Sequence, residues 1–133
     1  MDYSFPSHER LKSSKTIAKV FANGQSLFKY PLALKWLYIP VESEQDNGLE
    51  IKFTSVTPKK KFKKAVHRNL LKRRMRESYR LNRNDFRKKV SSVNGKLYLV
   101  LVYGSDKEES FQKIQSTLVF HLDKLAKELD KQS

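Results

Sequence analysis

The side chains best suited to bind another molecule lie in a basic segment in the middle of the chain. Fourteen of the 28 Lys and Arg residues fall between positions 59 and 88, and Glu77 is the one carboxylate among the arginines from Arg68 to Arg83. Like charges recur at i and i+4, as in Lys72 and Arg76, and each such pair mildly destabilises an isolated helix. Arginine can donate two hydrogen bonds to one phosphate and can stack on bases. We therefore predict that this segment binds a polyanion, the alternative being a helix face that is only solvated.

The chemistry of the segment suits structured RNA better than DNA. A recognition helix in the DNA major groove needs small and polar side chains at base edges, whereas long basic side chains mainly contact phosphates. Asn69, placed among the arginines, can bond to a backbone or a base edge. The predicted RNA-binding residues are Lys59, Lys60, Lys61, Lys64, Arg68, Asn69, Lys72, Arg73, Arg76 and Arg80.

Motifs for catalysis or tight metal binding are sparse in this sequence. Cysteine is absent, which excludes a thiolate metal site and a cysteine nucleophile. The histidines, His8, His67 and His121, are far apart and lack metal-ligand spacing. An acidic turn suits a loosely held hydrated cation, although such a turn is usually only solvated. Its carboxylates are Glu42, Glu44 and Asp46. We predict no catalytic residue and no metal-binding residue in this chain.

The composition is that of a folded basic domain. The 133 residues carry 28 Lys and Arg against 14 Asp and Glu, a formal charge of +14 that a bound polyanion would relieve. Hydrophobic residues make up 38% of the chain, too many for a disordered basic tail. The N-terminal sequence lacks the apolar region of a secretory signal, and no stretch approaches the roughly 18 apolar residues of a membrane span. We expect one domain over residues 1–133, located in the cytoplasm.

Hydrophobic periodicity predicts an α+β fold in the order α-β-β-β-α-β-α. The predicted helices are a first one from Ser13 or Ser14 to Asn23, the basic helix from about Lys64 to Asn82, and a last one from about Glu108 to Asp130. The predicted strands run from Pro31 to Pro40, from Leu49 to Val56, briefly around Val56, and from Lys96 to Gly104. A basic helix between two strands makes a crossover, so we expect a mixed four-stranded sheet with helices packed on it. The first two strands are expected to form a hairpin.

Two rows of apolar side chains are expected to pack the basic helix against the sheet. The first row is Leu71, Met75 and Tyr79, and the second is Val66, Leu70 and Leu81. On the strands, Lys35 and Lys52 indicate a face that is open to solvent. The strand aromatics are expected to belong to the core more often than to stack on bases. They are Trp36, Tyr38, Phe53, Tyr98 and Tyr103.

The basic helix resembles the central motif of the bacterial ribonuclease P protein component family. The segment KKAVHRNLLKRRMRESYRLN matches a pattern that reads roughly Ala-Val-x-Arg-Asn-Arg-x-Lys-Arg-x-x-Arg-Glu. The residues in register are Ala65, Val66, Arg68, Asn69, Lys72, Arg73, Arg76 and Glu77. The resemblance extends upstream to ERLKSSKTIAKVFANGQS, which is similar to the family's opening helix and glycine turn, and it runs from about His8 to Leu129.

The resemblance implies a fold and a function. The implied fold is an α-β sandwich whose basic helix lies in a left-handed crossover, an exception to the usual handedness. The implied protein is the RNA-binding subunit of an endoribonuclease, which binds a large catalytic RNA and precursor tRNA and helps to remove the 5′ leader. The chemistry would belong to the RNA and its Mg²⁺ ions, while the protein supplies positioning and charge neutralisation. No cofactor bound tightly by this chain, no membrane and no obligate protein partner are implied.

The resemblance also assigns roles to single residues. It places six residues against the catalytic RNA or the substrate near the cleavage site: Lys61, Arg68, Asn69, Lys72, Arg73 and Arg76. The single-stranded leader would lie in a cleft between the first helix and the sheet, at Ile17, Phe21, Lys35 and Lys52. Leu70 replaces an arginine of the family pattern, which implies that it faces the core. Ile17 replaces a common aromatic residue, so apolar contact takes the place of stacking there.

Two other classes of function share parts of this pattern. A ribosomal or rRNA-binding structural protein would be equally basic and would co-purify with ribosomal subunits. A stand-alone nuclease would need carboxylates or histidines clustered in space, and the scattered set in this sequence argues against such a cluster.

Overall fold

The computed structural model describes residues 5–41 and 48–132, and its elements follow the predicted order. After a 3-10 turn at Ser7–Glu9, the elements are α1 (Ser14–Asn23), β1 (Gln25–Lys29), β2 (Leu32–Ile39), β3 (Leu49–Val56), α2 (Ala65–Lys89), β4 (Gly95–Tyr103) and α3 (Phe111–Gln132). Of the two candidate caps of α1, Ser13 is the cap, because its hydroxyl accepts a hydrogen bond from the Thr16 backbone N–H at 3.2 Å. The acidic turn with Glu42, Glu44 and Asp46 lies outside the described residues.

Within the described residues, the strands form one mixed sheet in the order β1-β2-β4-β3. β2 pairs antiparallel with both β1 and β4, whereas β3 and β4 are parallel. The predicted hairpin between β2 and β3 is therefore wrong, since β4 lies between them. Most side chains of β4 are buried, which suits a central strand, whereas the alternating pattern of β3 suits an edge. α2 forms the predicted crossover between β3 and β4, and the handedness of that crossover stays a prediction.

Strand β1 is missing from the sequence prediction, and the short strand expected around Val56 is the end of β3. The five residues of β1 are mostly exposed, so they carry almost no hydrophobic periodicity. Their pairing with β2 sets Ser26 opposite Lys35 and Phe28 opposite Ala33. Because paired residues point to the same side of a sheet, β1 widens the face that carries Lys35.

One face of the sheet packs against α2 and α3 and forms the main core. The first apolar row of α2, Leu71, Met75 and Tyr79, is fully buried there, as predicted. The Tyr79 ring stacks on Phe53 with centroids 4.1 Å apart. Three of the strand aromatics are taken up by this core and are closed to stacking on bases: Trp36, Phe53 and Tyr103.

The second apolar row of α2 is not buried. Val66 is 68% exposed, and Leu70 and Leu81 are partly exposed. The buried residues of α2 span an arc of roughly 100° around the helix axis, and the second row lies roughly 60° to 120° outside that arc. The expectation that Leu70 faces the core is therefore wrong, because Leu70 lines a surface depression together with Val66 and Arg73.

The opposite face of the sheet, here called the outer face, is covered in part by α1. The small buried cluster on this side comprises Leu11, Val20 and Val100. Lys35 pairs with Val100, and Lys52 pairs with Tyr98, so both lysines point to the outer face. Both are partly exposed. The outer face is therefore the open and basic side that the two lysines indicate.

His121 of α3 is buried beside β2 and predicts a pH-dependent stability. Its Nε2 lies 2.9 Å from the Leu32 carbonyl oxygen, and burial lowers the pKa of His121 from its ordinary value of 6.5. The unfolded chain therefore binds a proton more readily than the folded chain, so the fold loses stability as the pH falls through the unfolded-state pKa. We expect His121→Gln to shrink the fall in unfolding free energy between about pH 7.5 and about pH 5, measured by urea denaturation.

The matched control is His67→Gln, because the His67 side chain is exposed. This variant should keep the pH dependence of the wild-type protein. Equal pH dependence in the wild-type and His121→Gln proteins would show that burial of His121 does not govern the acid loss of stability.

Candidate nucleic-acid interface

The packing of α2 turns its basic side chains away from the sheet. Because the row with Leu71 and Met75 docks against the core, the opposite side of the helix is left in solvent. We call this side the basic arc, and it comprises Asn69, Lys72, Arg73, Arg76 and Arg80. Within the part of the chain that the structure describes, the side chains of Lys72, Arg73 and Arg76 make no hydrogen bond or ion pair. These three cations are therefore available to an external anion.

Arg80 is partly neutralised on the same arc. Its Nε donates to both carboxylate oxygens of Glu77 at 3.0 Å. The hydrogen bond from Arg80 lowers the pKa of Glu77 and so favours the charged carboxylate beside the charged guanidinium. Arg80 therefore attracts an external anion less strongly than Lys72, Arg73 and Arg76 do.

Arg68 fixes the loop that leads into α2. Its Nη1 donates to the carbonyl oxygens of Phe62 at 2.8 Å and Lys63 at 2.7 Å. The Phe62 side chain is buried and anchors the same loop. The exposed lysines of this loop lie before the N-terminus of α2, which is the positive end of the helix dipole. They are Lys59, Lys60, Lys61 and Lys64. A contact between Arg68 and RNA stays a prediction, whereas its role in positioning the loop is visible.

A basic pocket next to the basic arc includes residues that the sequence prediction missed. The pocket has a volume of about 280 Å³ and is lined by Lys72 and Arg76 of α2 and by Arg10 and Lys12 of the N-terminal segment. Thr54–Ser55 of β3 adds two hydroxyl groups. Four cations and two hydroxyl groups around one pocket are suited to a phosphate. The pocket therefore extends the basic arc toward the N-terminus.

A buried carboxylate, Glu9, holds the N-terminal segment against α2. Glu9 is 4% exposed and accepts hydrogen bonds from Arg87 Nη1 at 2.6 Å and from Arg83 Nε at 2.9 Å. The segment then runs beside β3, where the Leu11 N–H donates to the Phe53 carbonyl at 2.9 Å. The sequence shows basic residues on both sides of Glu9, but only the tertiary structure shows that they meet α2.

The residues predicted for the cleft lie on α1 and on the outer face. Phe21 is 47% exposed, and its ring centroid lies 5.4 Å from Lys35 Nζ, within the range of a cation–π contact. Ile17, one turn earlier on α1, packs against the small buried cluster of the outer face. Lys52 lies two strands away from Lys35, with its Nζ 3.9 Å from Glu50 Oε1. The structure thus brings Phe21 and Lys35 together and leaves Lys52 apart from them.

Two other kinds of site were sought among the described residues. Nowhere in residues 5–41 and 48–132 do three His, Asp or Glu side chains converge. These residues therefore supply no group of three protein ligands for a metal ion such as the Mg²⁺ implied by the family resemblance. The helices in the same ranges are too short or too polar to cross a membrane.

Comparison with known proteins shows which sequences and structures this chain is similar to. A sequence model of the Ribonuclease P family matches residues 5–126. The ribonuclease P protein component of Porphyromonas gingivalis, from each of two strains, is 38% identical over 76 residues, which cover 57% of this chain and 53% of the relative. The match therefore spans about half the length of these curated relatives.

Solved structures of ribonuclease P proteins share the fold. The protein from Thermotoga maritima matches with a TM-score of 0.64 and 21% identity, over 87% of this chain and 96% of that chain. The protein from Staphylococcus aureus matches with a TM-score of 0.63 and 20% identity, over 91% of this chain and 97% of that chain. The predicted α+β fold with a mixed four-stranded sheet is thereby confirmed.

Proposed function

The chain belongs to the ribonuclease P protein family, and from this premise we propose that it is the protein subunit of a ribonuclease P endoribonuclease. It binds the catalytic RNA and precursor tRNA and assists the removal of the 5′ leader, which gives the mature 5′ end of the tRNA. The observation that carries the proposal is the basic arc of α2, where Lys72, Arg73 and Arg76 make no hydrogen bond or close ion pair with the described residues. The chain as a whole carries a net charge of +14.

Two surfaces divide the work of RNA binding in this proposal. The basic arc, the lysine loop before α2 and the pocket with Arg10 and Lys12 contact phosphates of folded RNA. Such contacts release counterions and position the RNA without reading its sequence. The outer-face cleft, with Phe21 beside Lys35, takes the single-stranded leader, since an exposed ring stacks on any base.

The chemical step belongs to the RNA in this proposal. The Mg²⁺ ions of the complex are held mainly by the RNA, and this chain binds none tightly. The described residues support the part given to the protein, because the exposed cations of the basic arc form a surface for phosphates. The protein positions the two RNAs and neutralises their repulsion. It works in the cytoplasm and needs no obligate protein partner.

Reconstitution tests the proposed function. The purified protein is added to the candidate catalytic RNA of the same genome at low Mg²⁺, and removal of the 5′ leader from precursor tRNA is measured. We expect the protein to restore cleavage under conditions in which the RNA alone is slow. The protein alone should leave precursor tRNA uncut, and the RNA alone should retain some cleavage at raised Mg²⁺.

Two outcomes would favour the rival functions. Metal-dependent cleavage that persists in repurified, RNA-free protein would indicate a stand-alone nuclease. Co-purification with ribosomal subunits, together with no effect on leader removal, would indicate a structural protein of the ribosome.

Phe21→Ala is expected to weaken leader recognition and leave the fold intact. Loss of one stacked base costs about 1–3 kcal/mol, so the preference for precursor over mature tRNA should fall by roughly tenfold. Because Phe21 is 47% exposed, the free energy of unfolding should fall by less than about 1.5 kcal/mol, compared with about 3–5 kcal/mol for a buried phenylalanine. Affinities for both tRNA forms and thermal unfolding measure the two effects.

Phe21→Tyr is the control, because it keeps the aromatic ring on the same turn of α1. This variant should retain the preference for precursor tRNA. A large fall in melting temperature with unchanged discrimination in Phe21→Ala would mean that Phe21 supports the fold and that the leader lies elsewhere.

A further inference from the structure

A second exposed aromatic ring lies on the outer face beyond Phe21. Phe28 of β1 is 61% exposed, more than Phe21 or Tyr30. It pairs with Ala33 in the sheet, so it points to the same side as Lys35, two residues further along β2. Nothing in the basic helix or in the predicted cleft accounts for so large an apolar side chain in solvent.

Small residues on the neighbouring strands make room for the Phe28 ring. Ala33 lies beside it on β2. At Gly104, which follows β4, an added Cβ would lie only 3.0 Å from Phe28 Cε2. The ring therefore reaches past β2 to Gly104, where a side chain would contact it tightly. Phe28 is held over the sheet and still leaves most of its surface to solvent.

Lys35 contacts one exposed ring and lies two residues along β2 from Ala33, which pairs with Phe28. The Phe21 ring is 5.4 Å from Lys35 Nζ, and Lys35 and Ala33 are about 6.8 Å apart along β2 because they are two residues apart. Two exposed rings and a cation on one face are suited to two bases and a phosphate of a single strand. The carboxylate of Glu109, which shares a pocket with Gly104, accepts a hydrogen bond from the Tyr30 hydroxyl at 2.9 Å.

We infer that Phe28 is a second stacking position for single-stranded RNA on this protein. A strand whose base stacks on Phe21 passes its phosphate by Lys35 and places a later base on Phe28. The inference rests on the proposed function, because it lengthens the site for the leader by the width of the sheet from β2 to β1. It assigns to edge strand β1 a binding role in addition to its pairing with β2.

The test uses the reconstituted complex of the protein and its catalytic RNA. Affinity is measured, with cleavage suppressed, for mature tRNA and for precursor tRNAs whose leaders grow by one nucleotide at a time. The wild-type complex should gain affinity in two steps as the leader first reaches Phe21 and then Phe28. Phe28→Ala should abolish the later step, a loss of about tenfold at long leaders, and should leave the earlier step and the affinity for mature tRNA unchanged.

Two further variants separate stacking from apolar bulk. Phe28→Tyr keeps the flat ring and should keep the later step, whereas Phe28→Leu should lose it. Full dependence on leader length in both Phe28→Ala and Phe28→Leu would overturn the inference and leave the proposed function standing. No preference for any leader in the wild-type complex would instead overturn the proposed function.

Two measurements on the protein alone complete the test. The melting temperature of Phe28→Ala should stay close to that of the wild type, because the side chain is 61% exposed. Sedimentation should give the same mass for both proteins. A large fall in melting temperature, or a change of mass that shows the ring to be covered by a second copy of the chain, would overturn the inference.

Discussion

Replacing Lys72, Arg73 and Arg76 together by glutamine is expected to weaken binding to the catalytic RNA by about three orders of magnitude. Each side chain can make a charge-assisted hydrogen bond to phosphate, worth about 1.5 kcal/mol at the low end of its range, so three amount to about 4.5 kcal/mol. None of the three makes a hydrogen bond or a close ion pair in the described part of the chain, so the fold should be little affected. Filter binding or fluorescence anisotropy at fixed salt measures the change.

The salt dependence of the same variant gives an independent measure. Each lost phosphate contact lowers the slope of log affinity against log salt by about 0.7 to 0.9, so the triple variant should have a slope smaller by roughly two to three. A nearly flat titration for the wild-type protein would remove the basis for treating the basic arc as an RNA surface.

A second triple variant serves as the matched control. Lys113, Lys127 and Lys131 are exposed on α3, and their replacement by glutamine removes the same number of charges from a helix that carries none of the basic arc. This control should lose little affinity, because only long-range attraction is reduced and salt screens it. Equal losses in the two variants would show that net charge, and not the basic arc, determines binding.

The sequence is most informative where one face of an element is buried. The period of Leu71, Met75 and Tyr79 predicts the docking face of α2, and all three are buried. The prediction for the second row is wrong because the apolar character of a residue does not show how wide an arc of the helix the sheet can cover. Val66 of this row stays exposed. The sequence prediction missed β1 for a related reason. This exposed edge strand is stabilised by its pairing with β2, and the residue pattern of β1 alone does not reveal that pairing.

Pairing between strands is also where the predicted hairpin fails. β2 and β3 are neighbours in sequence, and neighbours in sequence pair in most sheets. β4 displaces β3 because its apolar side chains need burial on both faces, which only a central strand provides. The order of the strands depends on how all of them compare in their need for burial, and the sequence of one segment does not contain that information.

The candidate site shows the same division between local and tertiary information. The basic arc is predictable, because a helix with its apolar row fixed must present the remaining residues to solvent. Arg10 and Lys12 are not predictable in this way, since they reach the pocket beside Lys72 through a fold-back of the N-terminal segment. That fold-back depends on the buried carboxylate of Glu9, far from α2 in sequence.

Glu9→Gln is expected to destabilise the protein by about 3 kcal/mol, the lower end for breaking a buried ion pair by removal of one partner. Glu9 is 4% exposed, and the side chain of Arg83 beside it is 11% exposed, so loss of the carboxylate leaves a poorly solvated guanidinium without its counter-charge. Arg87, which is more exposed, can turn to solvent. Urea denaturation gives the change in unfolding free energy, with Glu77→Gln as the control. Glu77 pairs with Arg80 at the surface, so its loss should matter much less.

Glu9→Gln also tests whether RNA binding requires the N-terminal segment to be held against α2. If Glu9 positions Lys12 beside Lys72, Glu9→Gln should also weaken RNA binding at temperatures where the protein is still folded. Lys12→Gln should then cost affinity in the wild-type protein and little more in the Glu9→Gln protein, because coupled residues are not additive. Additive losses would show that the two residues act independently. Unchanged RNA affinity in a destabilised Glu9→Gln protein would confine the role of Glu9 to stability, because the basic pocket would then keep its binding geometry without the carboxylate.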